Sequence, residues 1–97
     1  MTTASVGGVV LAESDNTVII EGNHYFPPDS INWDHFTSTD RTTGCPWKGT
    51  ASYYSVNVNG TEMTNVAWTY HNPKDAAKEI KDHVAFWRGV EVETTPA

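Results

Sequence analysis

The apolar positions fall into short extended runs separated by turn residues. Val9, Val10 and Leu11 begin a first strand, and Glu13-Ser14-Asp15-Asn16 is a turn built from side chains that bond nearby backbone. The β-branched run Thr17-Val18-Ile19-Ile20-Glu21 predicts the returning strand. A turn at Gly22-Asn23 leads into His24-Tyr25-Phe26, which Pro27-Pro28 stops because neither proline can donate to a ladder. Asp29 or Ser30 caps a short helical turn through Ile31-Asn32-Trp33, with Phe36 below it. The run from Thr37 to Gly44 is almost wholly polar and predicts a loop.

A hairpin follows, with Thr50–Val58 and Thr61–Tyr70 around Asn59-Gly60, a pair favoured where both turn residues need positive φ. A strict two-residue loop pairs Val56 with Met63 and Tyr53 with Val66, on opposite faces. Either both faces are covered or a bulge shifts the register, and we expect a bulge or longer turn near Gly60. Asn72-Pro73 then predicts a helix start. Asp75 suits its positive end, and Ala76, Ile80, Val84 and Trp87 form one stripe at helical spacing. Gly89 is its stop, and Val90 and Val92 alternate with glutamates in a last strand. The expected fold is mainly β, of the α+β class. A small twisted sheet or partial barrel of about six short strands carries one C-terminal helix packed on it. One domain spans 1–97, with an ordered core of about 7–93 and frayed ends at 1–6 and 94–97.

Composition narrows the class. The chain has 97 residues, of which 38% are apolar, and its four Trp, four Tyr and three Phe supply the bulk of a modest core. Twelve acidic against six basic residues give a net charge of −6. That balance argues against nucleic acid and against an anionic membrane surface as partners. The single cysteine permits no internal disulfide. With no signal-peptide pattern and no long apolar span, the expected location is cytoplasmic. A monomer or homodimer that binds a small molecule fits these bounds, and the sequence implies no cofactor.

The densest chemistry lies in Thr43–Tyr54, TGCPWKGTASYY. Cys45 sits in a loop three residues before Lys48, whose ammonium favours the nucleophilic thiolate; the alternative is an inert structural thiol. Lys48-Gly49 lacks the rest of a phosphate-loop pattern. If the segment is extended, Lys48, Thr50, Ser52 and Tyr54 share one face, able to meet a phosphate, carboxylate or carbonyl, or else left solvated. Trp47 is placed to stack a flat ligand or to pack in the core. His83 borders the predicted helix stripe. The histidines lack the spacing of a compact metal pair, and the acidic pairs Glu13/Asp15 and Glu91/Glu93 lie at a turn and near an end, so no metal ligands are expected.

The sequence resembles a family of small bacterial and fungal proteins catalogued as a domain of unknown function and sometimes labelled nucleotidyltransferase-like. The resemblance rests on Tyr25-Phe26-Pro27, Thr43-Gly44-Cys45-Pro46-Trp47-Lys48-Gly49, Ala51, Tyr53, Ala67-Trp68, Tyr70, Pro73 and Val84-Ala85-Phe86. It implies a compact, mainly β domain and directs attention to Cys45, Lys48 and Tyr53. The chain shows no GS motif followed by paired aspartates, which nucleotidyl transfer uses to hold metal and triphosphate. The expected function is small-molecule binding at the Cys45-Pro46-Trp47-Lys48 loop. Cys45 and Lys48 are the candidate catalytic groups, and Trp47, Thr50, Ser52, Tyr53, Tyr54 and His83 the candidate ligand contacts. Phosphoryl transfer and a non-catalytic interaction or dimerisation module are the alternatives.

Overall fold

The computed structural model describes residues 1–96. It contains nine strands: β1 (Thr2–Val6), β2 (Val9–Ser14), β3 (Val18–Ile20), β4 (Asn23–Tyr25), β5 (Phe36–Cys45), β6 (Gly49–Val58), β7 (Thr61–Thr69), β8 (Val84–Phe86) and β9 (Glu91–Thr94). They form three antiparallel sheets, ordered β2-β1-β9, β3-β4 and β5-β6-β7-β8.

The four-stranded sheet is covered on both faces. One face carries Val56, Ala67, Val84 and Phe86 against Ala4, Leu11 and Ala12 of the three-stranded sheet, with Phe26 and Ile31 filling between them. The other carries Ala51, Tyr53 and Ala85 against Tyr25, Tyr70, Ala77 and Ile80, with Val18 and Ile20 of the β3–β4 ribbon alongside. Because side chains alternate across a strand, neighbours on β6 serve different cores. This resolves the pairing problem in the hairpin. Val56 does pair with Met63, across a two-residue turn in which Asn59 (φ 53°) and Gly60 (φ 81°) are both left-handed. The register shifts further along than Gly60, at Thr64–Val66 opposite Ser55, and Tyr53 pairs with Trp68 instead of Val66.

The expected C-terminal helix is absent, which makes the fold all-β. Asp75–Ile80 is a six-residue 3-10 segment kinked at Ala77 (φ −127°), with no side-chain cap, and Ala76 on the predicted stripe is exposed. Asp82, at φ 60°, reverses the chain, and Val84-Ala85-Phe86 enters the sheet. All three residues are buried: Val84 and Phe86 in one core, Ala85 in the other. That is burial of period two, which the helical spacing of Ile80, Val84 and Trp87 imitates over so short a stretch. Val84 is fixed on its second edge by paired backbone bonds with Phe26, 2.8 and 2.9 Å.

Two further expectations are corrected. Residues 2–6 are not a frayed end: β1 is the middle strand of its sheet, joined to β2 through the left-handed Gly7-Gly8. Its buried positions, Thr2 and Ala4, are too small to print an apolar signal. The polar run from Thr37 to Gly44 is not a loop. It is the edge strand β5, whose threonines suit a pleated strand and whose polarity suits an edge.

Candidate functional site

The second face of the four-stranded sheet opens to solvent in a cleft of about 180 Å³ lined by Lys48, Tyr53, Trp68, Tyr70 and Trp87. Its floor follows from strand alternation and pairing. Tyr53 and Trp68 are direct cross-strand partners on β6 and β7, with ring centroids 6.4 Å apart. Tyr70 lies two residues beyond Trp68 and therefore on the same face. Trp87, just past β8, stands at 87° to Trp68 with centroids 6.1 Å apart. Tyr25 supports the floor: its fully buried ring meets Trp68 edge-on, and its hydroxyl accepts a 3.2 Å bond from the Trp68 indole N–H.

Two bulges shape the rim. On β5 the residues between Ser38 and Thr42 leave the ladder, and on β7 those between Met63 and Ala67 do so. The two bulges are tied together by Thr39, whose hydroxyl donates to Asn65 Oδ1 at 2.6 Å. Asn65, at φ 54°, receives the Trp87 indole N–H on its carbonyl at 2.8 Å, and its own N–H donates to Ser55 Oγ at 3.1 Å. Bulges re-aim side chains. Here they carry the Arg41 guanidinium over the Tyr53 ring, 5.1 Å from its centroid, and hold Trp87, itself covered by Arg88 at 4.1 Å. The Tyr53 hydroxyl bonds Thr43 Oγ1 at 3.1 Å.

Lys48 forms the polar wall. Gly49, at φ 114°, turns the chain into β6 in a left-handed conformation that a side chain would strain, packed beside the backbone of Asn72, Pro73 and Lys74. The loop is docked to that segment by Lys74 N–H to the Lys48 carbonyl, 2.9 Å, and by Lys74 Nζ to the Pro46 carbonyl, 2.8 Å. The Lys48 side chain is thereby driven inward, until only 9% of it is exposed. Its ammonium lies between the rings of Trp47 (5.4 Å) and Tyr70 (5.6 Å) and donates to the Glu21 carboxylate. Burial alone works against that charge. The bond to Glu21, with the charges of Tyr25, Tyr70 and Glu21 behind it, outweighs burial and raises the pKa above the ordinary lysine value. Burial raises the Tyr70 phenol as well, which Lys48 only partly offsets, so Tyr70 stays neutral near physiological pH.

Of the residues singled out from sequence, Lys48 and Tyr53 meet in this cleft. Thr50, Ser52 and Tyr54 do not share a face with Lys48, because the turn at Gly49 breaks the alternation. Tyr54 is on the opposite face, stacked edge-on with Trp33 and Phe36 at 5.5 and 5.9 Å. Cys45 ends β5, half-buried against the second core. Trp47 is 39% exposed beside the Lys48 ammonium. His83 precedes β8 with its ring on the Lys81 carbonyl at 2.9 Å, away from the cleft lining. The sequence reading missed Glu21, Arg41, Trp68, Tyr70 and Trp87 as site residues. The spacing of Trp68 and Tyr70, opposite Tyr53 in the hairpin, was the available signal. Among the described residues no three His, Cys, Asp or Glu side chains gather to hold a metal, and no helix is long and apolar enough to cross a membrane.

Fold and cleft together define a small, all-antiparallel β domain with an aromatic, lysine-walled cleft on its main sheet. The chain belongs to the family described as a domain of unknown function (DUF427), short name NTP_transf_9, which it matches over residues 2–95. No curated protein matches it.

Proposed function

We propose that this domain binds a small flat molecule in the cleft between Lys48 and the Tyr53–Trp68–Trp87 rings. The observation that carries the reading is the buried Lys48 ammonium at the wall of an open, otherwise aromatic cavity. A long cationic side chain ordinarily buries its stem and leaves its head in water. Here the head is drawn inward, while the Trp68 and Trp87 rings are only half-buried at the open cleft. That combination of apolar walls and one convergent polar group is what small-molecule sites use. The cavity of about 180 Å³ is below the roughly 300–1,000 Å³ of drug-sized pockets, so the ligand is one ring system and not a dinucleotide.

The nucleotidyl-transfer alternative finds less support. It needs a cluster of carboxylates near Lys48, and Glu21 is the only one bonded to it among the described residues. Saturation-transfer NMR with a panel of one- and two-ring compounds tests the binding reading. At least one compound is expected to bind saturably in the micromolar-to-millimolar range, and Trp68→Ala to abolish that binding. If Trp68→Ala binds the same compounds equally well, the cleft is not the site.

A further inference from the structure

The cations around the cleft decide what charge its ligand carries. Three of its rings each carry one of the protein's own positive groups: Arg41 over Tyr53, Arg88 over Trp87 and Lys48 over Tyr70. A cationic ligand seeking an aromatic cage would meet three like charges. In a chain with only six basic residues and a net charge of −6, gathering three of them here makes the cleft locally receptive to an anion.

One anion is already present. Glu21 reaches Lys48 from the β3–β4 turn, where Ile20 pairs with Asn23 and the turn residues Glu21 (φ 55°) and Gly22 (φ 79°) are both left-handed. Glutamate is a poor choice for such a turn, where Asn, Asp or Gly adopts positive φ at lower cost. Its backbone is not what the turn requires, so its carboxylate is the reason to look for. That carboxylate is not locked in: the Glu21 side chain is 52% exposed, while its Lys48 partner is 9% exposed. An exposed carboxylate on a surface turn can swing into water and be solvated there. A buried ammonium cannot leave, and it needs a replacement anion when Glu21 departs.

We propose that the cleft takes a flat aromatic or heteroaromatic carboxylate, whose ring lies against Trp68 and Trp87 and whose carboxylate displaces Glu21 from Lys48. Glu21 acts as a tethered stand-in that keeps Lys48 paired in the empty protein. A carboxylate fits the position because one occupies it already. A phosphate finds a single ammonium there, and the two guanidiniums that could fork around it are stacked on rings. The inference rests on the binding reading above and adds the ligand's charge and the displaced group.

The test is calorimetric titration of the intact protein with indole-3-carboxylate and, as the neutral isostere, indole-3-carboxamide. Wild type is expected to bind the carboxylate more tightly than the carboxamide. Glu21→Gln, on an exposed turn, removes the competitor and is expected to tighten carboxylate binding by about tenfold, the size of one charge-assisted contact, and to shift carboxamide binding much less. Lys48→Met is expected to erase the preference between the two compounds. Unchanged or weaker carboxylate binding to Glu21→Gln overturns the displacement idea. Binding of the carboxamide in preference to the carboxylate overturns the anion while leaving the cleft as a site. Binding of neither compound to any variant overturns the carboxylate inference, and the wider ring panel with Trp68→Ala still decides the cleft reading on its own.

Discussion

Lys48 concentrates the chemistry at the residue scale. The Thr43–Tyr54 segment made it visible in sequence as a lysine among hydroxyls and aromatics, but its true neighbours, Glu21, Tyr25 and Tyr70, lie far away in the chain. Local spacing cannot register them. The raised pKa has a pH consequence with a definite sign. A group whose native pKa exceeds its unfolded value contributes stability that is fully present below the unfolded value, about 10.5 for lysine, and is lost as the pH rises through the native one. Tyr70 and Tyr54 are also raised, chiefly by burial, above the ordinary tyrosine value of 10.0, and act in the same sense. Urea midpoints measured from pH 8 to 11 are therefore expected to hold level up to about pH 10 and fall beyond it. Tyr70→Phe should flatten part of that fall. A midpoint that stays level through pH 11 contradicts the assignment. Lys48→Met is expected to cost about 1 kcal/mol in the same urea experiment at neutral pH, less than a fully buried charge-assisted bond because Glu21 keeps much of its water.

At the scale of elements, the hairpin and the need for a register shift were legible, and the place of the shift was not. Asn59-Gly60 announces a left-handed two-residue turn directly. The bulge at Thr64–Val66 has no such mark, since Met63, Val66 and Trp68 mix with polar residues as in any half-buried strand. Its cause is tertiary: Thr39, Ser55 and Trp87 all bond Asn65. Replacing Asn65 separates the two contributions. Asn65→Ala loses the Thr39 bond and puts a Cβ residue without a polar side chain at φ 54°, for a cost of about 2 kcal/mol. Asn65→Gly loses the bond but frees the backbone and should recover roughly half of that. Equal stability of both variants and wild type in chemical denaturation argues that the bulge is not held this way. Gly49→Ala is expected to cost about 1–3 kcal/mol, because φ 114° is strained for any side chain.

For the whole molecule, the errors in the sequence reading have separate physical roots. A sheet covered on both faces makes short strands look like something else. Val84-Ala85-Phe86 reads as part of a helix because each residue serves a core, and Thr2–Val6 reads as a tail because its buried side chains are small. The count of about six strands fell short because β8 read as helix, β1 as a tail and the polar edge strand β5 as a loop. The aromatic cleft was legible in the excess of Trp and Tyr and in the spacing of Trp68 and Tyr70, but not as a cleft, since Lys48 and Trp87 join it from segments distant in the chain. If β1 is the middle strand of its sheet, deleting residues 2–6 should abolish cooperative thermal unfolding, and its amides should be among the protected ones in hydrogen exchange. Survival of a cooperative transition in the deletion variant contradicts that topology.

The central claim is that the cleft, and not another surface, receives a small flat ligand. The four tryptophans give a direct reading, because each indole N–H is a separate signal in a ¹⁵N correlation spectrum. Trp68 and Trp87 line the cleft, whereas Trp33 sits on the opposite side of the sheet with Phe36 and Tyr54. Titration with an aromatic carboxylate is predicted to shift the Trp68 and Trp87 signals along one saturable curve while Trp33 stays still. Movement of Trp33 with Trp68 and Trp87 unchanged contradicts the account.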